Sequence, residues 1–319
     1  MKPICTRTPP GRLRPSTEGR AAPRRHAFSP ALKPFVPGKP YWWQWPTILS
    51  LDAPAVALLW QWLLAHTAQA SLRGYHVFLL GAAAWLVYSA DRWIEGWFLS
   101  PGQVRTQRHA FYQRWRWPAF AVWIAVAAAG VVTAFTQLSP REFAAGWLLL
   151  VPVLVYLLSH QLAHRAHPWR VPKELCVAVL FAAGVSCFQI AQHPAALHRL
   201  AVPLALFGAL CLANCSLISL WETEVDRSHG QTSLVLQYPR GRRVVRALPW
   251  LLAALALGFG LGETGPVRHA TLCAAASGVL LGGVDLAHGR CGRQLARVLV
   301  DAALMTPLAP LLAGVLSHR

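Results

Sequence analysis

Carboxylates are scarce in this chain. Twelve Asp and Glu stand against 30 Lys and Arg in 319 residues, for a formal net charge of +18. Charged residues of both signs make up 13% of the sequence, about half the ~25% of an ordinary soluble domain. Charge this sparse excludes a globule with a fully solvated surface, and the mean hydropathy of +0.38 agrees. Other features are missing too. There is no glycine-rich nucleotide loop, no nucleophile–base arrangement and no strong internal repeat. The seven cysteines (5, 176, 187, 211, 215, 273 and 291) are scattered, mostly within apolar stretches. Without paired metal spacing they read as small buried apolar residues.

What the chain has in abundance is apolar length. Nine runs approach the ~20 residues that cross a bilayer. They lie near 46–66, 75–98, 117–137, 143–160, 172–192, 200–221, 244–262, 269–288 and 295–316. None alternates with period 2, so each is predicted to be a helix, the element that satisfies its own backbone in hydrocarbon. The predicted fold class is all-α, a polytopic membrane bundle of about nine helices. Trp42, Trp43, Trp45, Trp115, Trp117 and Trp169 cluster at run ends, as an interfacial aromatic belt requires.

Residues 1–40 differ in kind. They are rich in Pro and Arg, with Glu18 as the one acid and no apolar signal core. Such a segment buries too little surface to fold, and it is predicted to be a disordered basic tail ahead of a membrane domain at 41–319.

The basic residues are distributed unevenly. Nine precede residue 41, and the connections after the second, fourth, sixth and eighth runs carry five, three, five and three. The connections after the odd runs carry Arg73, Arg141, Arg199 and Arg268, and Arg319 ends the chain. Because Lys and Arg remain cytoplasmic, the N-terminus is predicted inside and the C-terminus outside. The charge is thereby a topology signal, with anionic membrane lipids rather than nucleic acid as its partner.

Against this background the few acids stand out. "WLVYSADRWIEGW" places Asp91 and Glu95 four residues apart at the end of the second run. "WETEVDRSHGQTSL" places Glu222 and Asp226 four apart at the end of the sixth, with Glu224 between them. On a helix that spacing stacks two carboxylates on one face, where they repel. Two such pairs on the same predicted side of a bundle are expected to converge on Mg²⁺, which takes oxygen ligands and favours substrate phosphates. Arg92 and Arg227 follow the two aspartates and are candidates for phosphate contact.

These two stretches resemble the twin aspartate-rich motifs of the UbiA superfamily of intramembrane prenyltransferases. The first family pattern runs Asn-Asp-x-x-Asp-x-x-x-Asp. Here "VYSADRWIE" matches it with Asp91 and Glu95, while Val87-Tyr88 stands at the opening Asn-Asp. The second runs Asp-x-x-x-Asp-Arg-x-x-Gly-x-x-Thr-Leu. It is matched by Glu222, Asp226, Arg227, Gly230, Ser233 and Leu234. The resemblance covers about residues 45–316. It implies nine helices and Mg²⁺ held by Asp91, Glu95, Glu222 and Asp226 as the catalytic acids. It also implies an isoprenyl diphosphate substrate and an aromatic or lipid-like hydrophobic acceptor. Tyr156 falls at the family's diphosphate-binding Tyr, whereas His160 stands where a Lys is usual and Lys173 is its substitute. Tyr88, Arg92, Asn214 and Arg227 complete the predicted substrate-binding set. The same fold also hosts cyclisation of the prenyl chain, and loss of the opening Asn-Asp is the sequence feature compatible with a non-catalytic lipid-binding descendant.

Other acids and histidines are weaker candidates. Asp52 lies inside the first run, where a charge usually faces a cavity, with Pro54 expected to loosen the helix there. Asp285 and Asp301 are expected to pair with Arg290, Arg293 or Arg297. His160, His164 and His167 share a helical face but lack an acid or Cys ligand nearby, so they read as a juxtamembrane basic face rather than a zinc site.

Overall fold

The computed structural model describes residues 38–98, 106–159, 172–228 and 233–317, and of these the side chains of 95–98, 228 and 317 stand outside the description. The tail before residue 38, the histidines 160, 164 and 167, Trp169, Gly230 and the Glu95 side chain therefore lie outside the described residues.

Every described element is a helix or turn. In chain order the helices are α1 Trp45–Ile48, α2 Asp52–Ala68, α3 Gly74–Phe98, α4 Gln107–Arg114, α5 Arg116–Gln137 and α6 Pro140–Leu158. There follow α7 Lys173–Gln192, α8 Leu197–Trp221, α9 Thr223–Ser228, α10 Leu234–Gln237, α11 Arg242–Gly262, α12 Gly265–Ala302 and α13 Leu308–Ser317. Local chemistry starts several of them. "SPRE" opens α6 with a capping box, in which Ser139 accepts from Glu142 N–H and the Glu142 carboxylate accepts from Ser139 N–H at 2.8 Å.

Among the described residues, seven helices are long and apolar enough to cross a bilayer, or eight when the bent pair at the start counts as one span. The first predicted run is that pair: the segment Trp42–Ile48 meets α2 at 78°. Ser50 turns the corner with φ +59°. Side chains from other helices meet a carbonyl and a buried hydroxyl of this corner, as hydrocarbon requires. Trp85 Nε1 donates to Leu49 O at 3.0 Å, and the Ser50 and Tyr112 hydroxyls bond at 3.2 Å. Pro54 does not loosen the helix, because the break precedes it. It lies in the first turn of α2, where no intrahelical donor is needed.

The last two predicted runs are also arranged differently. α12 extends from Gly265 to Ala302 across both, interrupted at Gly292 with φ +75° and ψ 159°. The expected single helix at 295–316 is instead the end of α12, the turns at 303–307, and α13. Pro307 has no N–H to continue the ladder and disfavours the α conformation at Thr306. Trp60 Nε1 donates to Leu304 O at 2.8 Å, and Thr306 Oγ1 donates to Cys273 O at 2.9 Å, so the break is held from within the protein.

The core lies where α2, α7, α8 and α12 meet. Trp60 is fully buried and stacks on Phe207 with centroids 4.4 Å apart. α11 and α12 approach closely over small residues: a Cβ on Gly278 would stand 2.8 Å from Pro249 O. At the other extreme α5 buries none of its residues and α6 buries only Glu142. Phe135 and Leu148 are among their exposed apolar side chains. In water such faces would drive association. Against lipid tails they cost nothing, which fits the helix lengths and marks an integral membrane protein.

Candidate functional site

The two broken helices face one cavity of about 190 Å³, which α2, α3, α4, α6, α7, α8, α9 and α12 enclose. Asp52, at the first residue of α2, and Asp301, at the end of α12, both line it. Asp91 near the end of α3, and Glu222 and Asp226 after α8, line it as well. Of the two acid pairs of the sequence, Asp91, Glu222 and Asp226 line this cavity, and the Glu95 side chain lies outside the described residues. Glu174 is the sixth carboxylate in the wall. Four fixed cations share the space: Arg92, Arg108, Lys173 and Arg297. Val87, Val177, Phe181, Ile218 and Leu304 supply an apolar side to the same cavity, with Tyr88 and Tyr156 beside them.

Of these acids, Glu174, Glu222, Asp226 and Asp301 have side-chain or backbone partners. Arg297 Nη1 donates to Glu222 Oε2 at 2.7 Å, and Arg108 Nη2 stands 3.6 Å from the same oxygen. Lys173 Nζ reaches Asp226 Oδ1 at 3.4 Å. Burial by itself would push the Glu222 carboxyl up. Arg297 and then Arg108 outweigh burial and bring its pKa down from 4.5 to about 2. Asn214 Nδ2 donates to Val300 O at 2.9 Å and to Asp301 Oδ1 at 3.2 Å, so its amide ties α8 to the last turn of α12 while lining the cavity. Glu174 is 1% exposed. Its carboxylate accepts from the Ser219 hydroxyl and, at 3.2 Å, from Leu234 N–H, which fastens the chain just beyond the second motif.

Some sequence expectations shift. Arg227 is exposed and stands outside the lining, because α9 turns that face away from the cavity. Asp285 pairs at 3.7 Å with Arg246 of α11, not with the last-loop arginines, and accepts from Trp221 Nε1 at 3.0 Å. Arg297, expected as a partner of Asp285 or Asp301, does interact electrostatically with Asp301, and its hydrogen bond goes to Glu222. Tyr88, Arg92, Tyr156, Lys173 and Asn214 all line the cavity, with the Arg92 guanidinium 5.8 Å from the Tyr88 ring centroid. Arg108, Glu174 and Arg297 were missed in the sequence as site residues. Glu174 had a signal in its position next to Lys173 at a helix start. Arg108 and Arg297 are single arginines in basic connections, and nothing local distinguishes them.

The donor set suits a hard divalent cation in part. Six carboxylates face four fixed cations, leaving the wall negative when all are ionised. Asp226 is 5% exposed, and its Oδ2 is buried without a hydrogen bond. Mg²⁺ needs only one or two carboxylates when waters and phosphate oxygens complete its shell. Asp91 and Asp226 fit that role, whereas Glu222 is turned to arginines. Among the described residues no three His, Cys, Asp or Glu side chains gather closely enough to cage an ion by themselves.

No family model matches the chain, and no curated protein matches it. Its three-dimensional structure is similar to the apo structure of a UbiA homolog from Aeropyrum pernix K1. The TM-score is 0.57 at 16% sequence identity, over 83% of this chain and 98% of the other. A likeness at that identity speaks for the fold. It agrees with the resemblance read from the two acid-rich stretches and with the bundle described above. The chain is thus an integral membrane protein with a UbiA-like fold.

Proposed function

We propose that this protein is a membrane-embedded, Mg²⁺-dependent prenyltransferase. It takes an isoprenyl diphosphate and transfers the prenyl group to an aromatic or lipid-like acceptor. The observation that carries the reading is the meeting of Asp91, Glu222 and Asp226 with Arg92, Arg108, Lys173 and Arg297 in one cavity that has an apolar, aromatic side. Few ligand classes need both halves. A diphosphate ester of an isoprenoid has a compact polyanion at one end and a hydrocarbon chain at the other.

Asp91 and Asp226 would hold Mg²⁺, with Glu95 one turn along α3 from Asp91, and Glu222 joining under the condition argued below. The ion's chemistry is to neutralise the charge that gathers on the departing diphosphate. The chain's own groups do the rest. Arg92 and Lys173 bind phosphate oxygens through charge-assisted hydrogen bonds. Tyr88, Tyr156 and Phe181 flank the prenyl chain, and their ring faces stabilise positive charge that develops on its allylic carbon. Val87, Val177 and Ile218 keep water from that carbon. In this reading the basic loops face the cytoplasm, the N-terminus is inside, and the setting is a bacterial inner membrane.

The test is product formation in membranes supplied with Mg²⁺ and isoprenyl diphosphates together with an acceptor. Asp226→Ala is expected to abolish it. Undiminished product from that variant would sink the proposal. Product analysis without acceptor separates transfer from cyclisation of the prenyl chain.

A further inference from the structure

Glu222 occupies the bend between α8 and α9, with φ −98° and ψ 15°. Two arginines from elements remote in sequence meet one of its oxygens. Arg297 of α12 donates to Oε2 at 2.7 Å, and Arg108 of α4 stands 3.6 Å from it. All three side chains line the cavity and are between 12% and 18% exposed, so this is a sheltered pair and not a solvated one. A single carboxylate oxygen held by two guanidinium groups has the surroundings that a phosphate oxygen takes at an arginine fork. A third guanidinium lines the same wall. Arg92 is 5% exposed, and its Nε is buried with no hydrogen-bond partner. A buried donor left unmade costs about 1–3 kcal/mol, and an anionic ligand rich in acceptors removes that cost.

We propose that Arg108 and Arg297 form an oxyanion seat in which the Glu222 carboxylate holds the place of a phosphate group, and that the diphosphate end of the substrate displaces it. The seat binds its anion with fixed cations and needs no divalent metal to do so. Only when the diphosphate has taken Oε2's position is Glu222 released to serve as an oxygen donor for Mg²⁺. The proposal rests on the diphosphate reading of the cavity, and it adds an order: anion first, metal second. It also accounts for a second motif whose first acid is paired with arginines while Asp226 keeps an oxygen without a hydrogen bond.

Inorganic pyrophosphate is the probe. Its binding to the full chain is measured by calorimetry in phosphatidylcholine nanodiscs, with EDTA present. The wild type is expected to bind. Glu222→Gln, which keeps the shape and removes the competing charge, is expected to bind on the order of tenfold more tightly. Arg297→Gln is expected to weaken binding at least as much. Should that variant fail to fold, Arg108→Gln on the short helix α4 carries the same expectation. No binding in EDTA by either wild type or Glu222→Gln overturns the proposal, and so does Glu222→Gln binding more weakly than wild type. Loss of the pyrophosphate signal when phosphatidylglycerol is added assigns the seat to lipid headgroups and overturns it as well. Prenyl transfer is scored separately. Metal-free pyrophosphate binding without product leaves the seat and removes the transferase, and product without metal-free binding does the reverse.

Discussion

Arg297 donates to Glu222 at 2.7 Å across 75 residues of sequence, closing the last long helix onto the bend that follows α8. Arg108 approaches the same oxygen from α4. The contact joins three elements around one cavity, and it requires Glu222 to be charged.

That requirement is visible in acid. The Glu222 pKa lies at about 2, below the ordinary 4.5. A carboxyl with a depressed folded pKa contributes stability above its unfolded value, and the contribution is lost as pH falls through the folded one. Wild-type protein in detergent is therefore expected to lose thermal stability between about pH 4.5 and 2, by at most about 3 kcal/mol from this group. Glu222→Gln is expected to be less stable at pH 7 and to show a smaller acid-induced loss. Equal pH slopes for the two proteins would contradict the pairing.

Asp91 lines the cavity from α3, and in the proposed reaction its carboxylate would hold Mg²⁺. Asp91→Asn keeps the volume and removes the charge. In the membrane assay it is expected to lower kcat/KM by two orders of magnitude or more, about 3 kcal/mol of barrier. Added Mg²⁺ should restore part of the loss if Asp91 acts through metal affinity, and titration of the assay with Mg²⁺ checks it.

Glu174 anchors the chain beyond the second motif through Leu234 N–H, with both of its oxygens 3.2 Å from that nitrogen. Glu174→Ala removes the acceptor. Amide exchange over residues 234–237 is expected to accelerate by about tenfold or more as this short helix opens locally. Exchange in α8, held by its own ladder, should change little.

Gly278 marks a close backbone approach of α11 and α12. A Cβ there would meet Pro249 O at 2.8 Å and Ala253 N at 2.9 Å, both backbone atoms that cannot rotate away. Gly278→Ala is expected to cost about 1–3 kcal/mol in thermal unfolding. Gly283, on the same helix, has nothing within 4 Å of its Cβ position. Gly283→Ala is the matched control and should not destabilise.

Much of the fold was legible along the chain. α3, α5, α6, α7, α8 and α11 follow the apolar runs closely, because hydropathy is summed residue by residue and a bilayer demands about 20 such residues in succession. The first and last runs were read as continuous spans, and both are broken. Ser50 at φ +59° and the turns before Leu308 depend on partners from afar, Tyr112 and Trp85 for one, Trp60 and Cys273 for the other. An apolar run carries no trace of a side chain 36 or 244 residues away that will take its freed carbonyl.

The sequence by itself determined the class of protein, the position of most helices and three of the acids that line the cavity, Asp91, Glu222 and Asp226, since spacing of four residues and placement at run ends are local properties. Tertiary structure decided which cation each acid meets. Lys173 came to Asp226, Arg246 to Asp285, and Arg297 with Arg108 to Glu222. Every carboxylate near a membrane attracts whatever cation the packing brings within a few ångströms, and Coulomb attraction carries no sequence address. Only the crossing of α4, α8 and α12 chooses among 30 basic residues, and that choice set Glu222, an expected metal ligand, against two arginines.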